Sequence, residues 1–390
     1  MELRREPARG PIDVGSEPAL VDRIEAEIRT DGPIPFARFM ELALYEPGLG
    51  YYRRATPGPG RAGDFLTAPE THPVFGHAVA RQLEEVWARL GRPERFVVRE
   101  HGAGEGALAE AVIDGLAASG SALRGSIRYQ PVDVEAARLV AVHARLAGAG
   151  HGDAIEDAVD PVDVVLANEV LDALPVHRVV QRGERLLERY VTTAGERFAE
   201  VEAEPSTPRL AERLTLERVR LADGQVAEIC LALDDWIERA ARPLHRGVML
   251  LIDYGHPAAE LYGPRRLAGS LRAYLRHRVH DDVLANVGRQ DLTAHVDLTA
   301  VERAAAGAGL DHLGTTTQAE FLIGLDVEEE LRAAQRDPTT TLEAYTALRS
   351  ALLRLLDPVA TGAFKVLVFG RGISSERPLA GLAYRVRERE

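Results

Sequence analysis

Between residues 95 and 255 the chain alternates short apolar runs with longer amphipathic ones, and this alternation limits the fold more than any other feature. "RFVVRE" (95–100), "IRYQPVDV" (127–134), "PVDVVLAN" (161–168) and "RGVMLLIDYG" (246–255) have the length and apolar content of strands. "GALAEAVIDGLAAS" and "EAARLVAVHARLAG", between them, have helical periodicity. A late run, "FKVLVFGRG" (364–372), returns to strand character. Strands alternating with helices imply a mainly parallel sheet covered on both faces. With 390 residues, 46% of them hydrophobic, the chain can bury a large core.

The flanking segments read differently. Residues 1–17 form a loose polar tail. "PALVDRIEAEIRTDG" predicts a helix ending near Gly32, and "PIPFARFMELALYE" predicts one opened by Pro35. Residues 46–64 form a long loop rich in Gly, Pro and Arg. In "HPVFGHAVARQLEEVWARLG", Phe75, Val79, Leu83, Val86, Trp87 and Leu90 share one helix face. Residues 176–204 alternate as an antiparallel excursion, and "ALDDWIERAAR" reads as a helix. From 256 to 345 strand candidates are weak, which predicts a mostly helical inserted cap. The expected division is a tail (1–17), a helical segment with a covering loop (18–92), a sheet core (93–255 with 360–375) and the cap (256–345).

Composition removes several classes of function. Cys230 is the single cysteine, so neither an internal disulfide nor a thiolate metal cluster can form, and a reducing bacterial cytoplasm fits. The net charge of −13 argues against general binding to nucleic acid or anionic membranes. The N-terminus lacks an apolar secretory core, and "VMLLI" (248–252) is too short to span a bilayer. Arg265, Arg266, Arg272, Arg276 and Arg278 form a basic segment. It reads equally as a dock for an acidic partner and as a solvated helix face.

"FVVREHGAGEGALAE" (96–110) places Glu100 just before Gly102, Gly104 and Gly106. One reading is a tight turn into a helix. A second is a dinucleotide fingerprint, since "GAGEGA" satisfies a loose G-x-G-x-x-A. Against that, charged residues precede the first glycine, and Asp133 comes later than the ribose acid of that fold. The third reading is S-adenosylmethionine, which carries an ammonium and a sulfonium but no phosphate. A strand-end carboxylate at Glu100 suits those cations, and Asp133, ending the next strand, suits the ribose hydroxyls. In "HGDAIEDA", Asp153 and Ala154 are candidates for adenine contact, although aspartate in a loop is often a turn former.

Seven segments then occur in order: "YEPGLGYY", "AGDFLTAPETHPVFG", "EHGAGEG", "ANEVLDALPV", "LIDYG", "DLTAHVDLTAV" and "FKVLVFG". Over roughly residues 20 to 372 the set resembles the MidA-like family of class I S-adenosylmethionine-dependent methyltransferases. That family includes a mitochondrial assembly factor of respiratory complex I that methylates an arginine. The resemblance implies an α/β, Rossmann-like, doubly wound seven-stranded sheet with an N-terminal helical segment and a helical insertion. It also implies a loop with Gly63, Asp64 and Thr67 over the cofactor, beside Glu100, Gly102, Gly104, Gly106, Asp133, Asp153 and Asn168. Ala103 and Glu105 depart from the family's usual Pro and Arg, His101 replaces an apolar residue, and "NEVLDA" stands for "NEFFDA". No departure removes a glycine or a carboxylate.

For an arginine acceptor, carboxylates that grip the guanidinium fork would orient one nitrogen. "NEVLDALP" follows a strand at the ligand-binding edge of such sheets. Asn168, Glu169 and Asp172 are therefore the expected catalytic residues, with Glu169 and Asp172 on one face if the turn is helical. Alternatively, Asn168 caps a helix and Asp172 is solvated. Asp253, Tyr254, His256 and His295 are expected to bind the acceptor. His295 and Asp297 lack a third ligand, so no metal is expected, and a helix cap is an equal reading of Asp297. The expected function is methylation of a protein arginine. A small-molecule O- or N-methyltransferase and a non-enzymatic cofactor-binding assembly factor remain open. So does the oligomeric state, a homodimer being one option.

Overall fold

The structure is a computed structural model that describes residues 13–54 and 67–384. Six strands make the central sheet: β1 (Phe96–His101), β2 (Ile127–Val132), β3 (Val162–Asn168), β4 (Leu244–Asp253), β5 (Asp311–Thr317) and β6 (Lys365–Arg371). Their order is β5-β6-β4-β3-β1-β2. β2, β1, β3 and β4 run parallel, and β6 is antiparallel to both of its neighbours. Beyond β2 the pairing reduces to one parallel bridge, Tyr129 with Ile155, where the expected seventh strand would lie. The segment that makes this bridge is rich in Gly and Asp and offers little apolar surface to extend it.

Alternate residues of the strands face opposite helical layers. Phe96, Val98, Val164, Leu166, Leu250 and Ile252 pack under helices Val74–Arg89 and Ala107–Ala118. Val97, Val165, Ala167, Met249 and Leu251 pack under helices Ala232–Ala241 and Leu298–Gly307. The sequence reading of these strands as apolar runs follows from burial on both faces. The chain leaves β1 toward β2 on one side and reaches β3 on the other. The strand order thus reverses at β1, and the crevice above that point is where ligands bind in open α/β sheets.

The N-terminal helices form as the sequence predicts, over Pro18–Asp31 and Phe36–Tyr45. The antiparallel excursion is also present. Strands His177–Arg182, Arg185–Ala194 and Arg197–Ala203 join Ile34–Pro35 and Val226–Ile229 in a second sheet. The two helices pack on it: Leu20, Ile24, Phe36, Phe39 and Met40 share a core with Val191.

The segment 256–345 differs from the expected helical cap. Asp311–Thr317 is a strand of the central sheet. Arg272–Leu275 and Arg278–His280 form a hairpin joined by Asp291–Thr293. Of the basic segment, Arg272 and Arg278 lie in strands and none of the five arginines is helical, while Arg276 and His277 turn the hairpin with φ of 49° and 59°. Its strands are only three or four residues long, too short for alternation to stand out in the sequence. Among the described residues, no helix is long and apolar enough to cross a membrane.

Candidate active site

A cavity of about 430 Å³ opens over the C-terminal ends of β1, β2 and β3. Its floor is the glycine loop. Gly102, Gly104 and Gly106 have φ of 70°, 54° and 81°, the left-handed region that favours glycine. A Cβ on Gly102 would meet Val170 Cγ2 at 2.7 Å, so the loop lies directly against the turn after β3. A Cβ on Gly104 would meet no atom of the described residues within 4 Å. Gly106 takes the cap position of helix Ala107–Ala118.

Among the charged side chains of the walls, carboxyl groups outnumber guanidiniums. Glu100 is buried and accepts from Tyr129 Oη at 2.8 Å. Burial pushes its carboxyl up to about 8, against the pull of that hydrogen bond. Asp133 Oδ2 accepts from Gly104 N at 3.1 Å and Oδ1 from Glu135 N at 3.0 Å. Asn168 Nδ2 donates to Glu169 Oε1 at 3.0 Å, while Asn168 Oδ1 is buried without a hydrogen-bond partner among the described residues.

Glu169 itself has φ of 54°, which takes the chain out of β3 in a non-helical turn. Its Oε1 also accepts from Ala68 N at 3.3 Å, tying the sheet edge to the short helix Ala68–Thr71. Burial, reinforced by Asp172, pushes its carboxyl up to about 8. Thr67 begins that helix in a reciprocal cap with Glu70, and both line the cavity. Gly63 and Asp64 lie outside the described residues.

Other expected site residues sit elsewhere. Because the turn is not helical, Asp172 does not share a face with Glu169. It lies behind the cavity wall, 6% exposed, and Tyr254 Oη donates to its Oδ2 at 2.6 Å. Asp253 is also buried away from the cavity. Its Oδ2 accepts from Val170 N, Leu171 N and Asp172 N at 3.2, 2.9 and 3.3 Å, so its carboxylate holds the turn.

His256 and His295 stack at 5.4 Å, and His295 packs edge-on to Tyr254. Glu260 and Arg266 each reach His256 at 2.7 Å. None of Asp253, Tyr254, His256 and His295 lines the cavity. Asp153, expected at the adenine, is exposed and paired through both oxygens with Arg124. Arg124 precedes β2, at the opposite end of the strand from the cavity. Asp297 caps helix Leu298–Gly307, its Oδ1 accepting from Ala300 N at 3.1 Å.

Among the cavity residues that escaped the sequence reading as individuals are Tyr45, Tyr52, Arg54, Arg138 and Trp236. The signal for the two tyrosines was "YEPGLGYY", where aromatics flank a glycine turn. For Trp236 only its place on an amphipathic helix was visible.

A family profile described as an S-adenosyl-L-methionine-dependent methyltransferase matches residues 78–316, more than half of the chain. The Drosophila melanogaster protein named "Protein arginine methyltransferase NDUFAF7 homolog, mitochondrial" is 30% identical over 393 residues. That alignment covers 91% of this chain and 85% of the relative. This chain belongs to the MidA-like family of methyltransferases. The Homo sapiens protein named "Protein arginine methyltransferase NDUFAF7, mitochondrial" is 26% identical over 359 residues, covering 84% of this chain and 76% of its own. A Burkholderia thailandensis protein crystallised with S-adenosyl-homocysteine superposes with a TM-score of 0.85 at 33% identity. That superposition covers 97% of this chain and 98% of the other.

The MidA-like chain is an S-adenosyl-L-methionine-dependent methyltransferase, and the cavity suits that cofactor. An ammonium, a sulfonium and two ribose hydroxyls need acceptors rather than a phosphate cradle. The cavity offers Glu100, Asp133 and the unpartnered Asn168 Oδ1. The bare backbone at Gly104 leaves room for a ligand to lie against it.

Proposed function

We propose that this methyltransferase modifies an arginine side chain of a protein partner. The observation that carries the reading is the Asn168–Glu169 pair at the cavity wall, where a half-buried carboxyl group and an amide oxygen without a partner among the described residues sit together at the end of β3. The fly and human relatives, both named protein arginine methyltransferases, support it.

The bound cofactor supplies an electrophilic methyl group. The protein's task is then alignment, exclusion of water and handling of one proton. A guanidinium is planar, always charged when free, and presents its donors as a fork. Glu169, nearly neutral at physiological pH when the cavity holds no cation, ionises when one enters and grips that fork. Asn168 Oδ1 accepts a second N–H and fixes which nitrogen faces the methyl. The nitrogen lone pair forms the N–CH3 bond as the S–CH3 bond breaks. The proton this nitrogen sheds passes to Glu169, the carboxylate already in contact with it. Glu100 and Asp133 hold the cofactor's ammonium and ribose meanwhile.

The test is mass spectrometry of proteins from a strain with this chain and one lacking it. Methylarginine present on a protein in the first and missing in the second is the expected result. Label from tritiated S-adenosyl-L-methionine found only in small molecules would instead establish a small-molecule acceptor and sink the reading.

A further inference from the structure

Tyr45 ends helix Phe36–Tyr45, and Tyr52 lies in the single turn Tyr51–Arg53 that follows. Their rings stack with centroids 5.6 Å apart and planes 23° from parallel. Both hydroxyls are committed. Tyr45 Oη donates to the Ala173 carbonyl at 2.9 Å, and Tyr52 Oη donates to Asp291 Oδ1 at 2.9 Å. The rings therefore cannot swing away, and both face the cavity.

A cation already packs against this wall. The Arg138 guanidinium already sits over the Tyr52 ring, 5.7 Å from its centroid. Behind the rings lie the carboxylates of Asp291 and Asp172, 0% and 6% exposed. After burial itself, these two charges are among the groups that push both phenols far above their ordinary pKa. Aromatic faces backed by buried anions attract a cation, and they offer a neutral group of the same shape much less.

The wall also spans the cavity. One end reaches Ala173, in the turn that carries Asn168 and Glu169. The other reaches Arg138, which lies 3.6 Å from Asp133. The atom that joins the methionine and ribose halves of the cofactor is its sulfur. It is a cation before methyl transfer and a neutral thioether after it.

We propose that the Tyr45–Tyr52 pair, with Asp291 as the positioning residue of Tyr52, recognises the sulfonium and so distinguishes cofactor from product. The proposal rests on the cofactor's place in this cavity and not on arginine as the acceptor. Its functional consequence is that loss of the positive charge on transfer weakens the hold on the product.

The test is calorimetric titration of the full chain with S-adenosyl-L-methionine, S-adenosyl-homocysteine and sinefungin, which carries an ammonium in place of the sulfonium. Wild type is expected to prefer the two cationic ligands by about two- to thirty-fold. Tyr45→Leu and Tyr52→Leu should bring that ratio close to one, with S-adenosyl-homocysteine binding held within about two-fold. Retained product binding also reports an intact fold. Tyr52→Phe keeps the ring and loses the tie to Asp291, so an intermediate ratio is expected. Asp291→Asn should likewise lower the ratio.

A ratio unchanged in the leucine variants, or equal loss of all three ligands, would overturn the proposal. Failure of wild type to bind S-adenosyl-homocysteine at all would remove the cofactor from this cavity, and the proposal with it.

Discussion

Tyr254 Oη donates to Asp172 Oδ2 at 2.6 Å, a charge-assisted bond that spans the chain from the end of β4 to the turn after β3. Burial raises the Asp172 carboxyl to about 6, and the Tyr254 hydroxyl opposes that rise. The bond is strongest when Asp172 is ionised, above about pH 6. Tyr254→Phe should therefore cost about 2 kcal/mol of stability at pH 8 and less than about 1 kcal/mol at pH 5. Urea unfolding at the two pH values measures the difference. An equal cost at both would show that Asp172 does not titrate as placed. Because Asp172 lies behind the cavity wall, S-adenosyl-homocysteine affinity should stay within about two-fold.

Asp253 holds the same turn from the other side. Its carboxylate is the acceptor for three successive N–H groups, Val170, Leu171 and Asp172, in a buried setting. Asp253→Ala leaves these donors without a partner and should cost about 3 kcal/mol or more. Asp253→Asn keeps one oxygen and should cost less. If Asp253→Ala were as stable as wild type and only acceptor binding changed, Asp253 would contact substrate after all.

Glu100 gives the ligand-free protein a distinctive response to pH. Burial raises its folded pKa to about 8, whereas a glutamate free in water titrates near 4.5. Between those values the folded state holds a proton that the unfolded chain has released. Stability therefore falls as pH rises from about 4.5 to about 8 and levels off above, by up to about 1.4 kcal/mol per pH unit from this group. Glu169, raised for the same reason, adds to the slope. Unfolding of the cofactor-free protein at pH 5.5, 7 and 8.5 should show the decline, and Glu100→Gln should flatten it. A slope identical in wild type and Glu100→Gln would contradict the assignment. A cofactor ammonium beside Glu100 should also ionise it, so binding at pH 7 releases protons. Calorimetry in buffers of different ionisation enthalpy reads that release.

The sheet and the floor of the site were legible because burial on both faces leaves continuous apolar runs, and because a left-handed loop requires glycine. Phe96–His101 and Gly102–Gly106 stand out in the sequence for those two reasons. The side-chain roles after β3 were less legible. "NEVLDA" gives Glu169 and Asp172 a helical spacing, but the positive φ of Glu169 sends them to different sides of the wall. The grip of Asp253 on the turn is long-range and leaves no local pattern. Asp153 read as a ligand from its loop motif, whereas its partner Arg124, which precedes β2, is not adjacent in sequence and left no local signal. The hairpin at 272–280 hid behind its arginines, which helical and strand surfaces carry alike.

The glycine loop allows a three-way comparison. Gly104 has φ of 54° and no atom of the described residues near a Cβ, so a side chain there strains the backbone and projects into the cavity. Gly104→Val should cost about 1–2 kcal/mol of stability yet leave the protein folded, with S-adenosyl-homocysteine affinity reduced more than about ten-fold. Glu100→Ala removes the acceptor for the ammonium and should weaken binding comparably. His101 differs. Its ring packs edge-on to Trp236 at 5.4 Å, and burial lowers its pKa to about 4, so it is neutral at physiological pH. A leucine supplies similar apolar bulk against Trp236, and His101→Leu should hold affinity within a few-fold. Titration of the three variants side by side decides the matter, because equal losses in all three would mean that the cofactor does not lie on this loop.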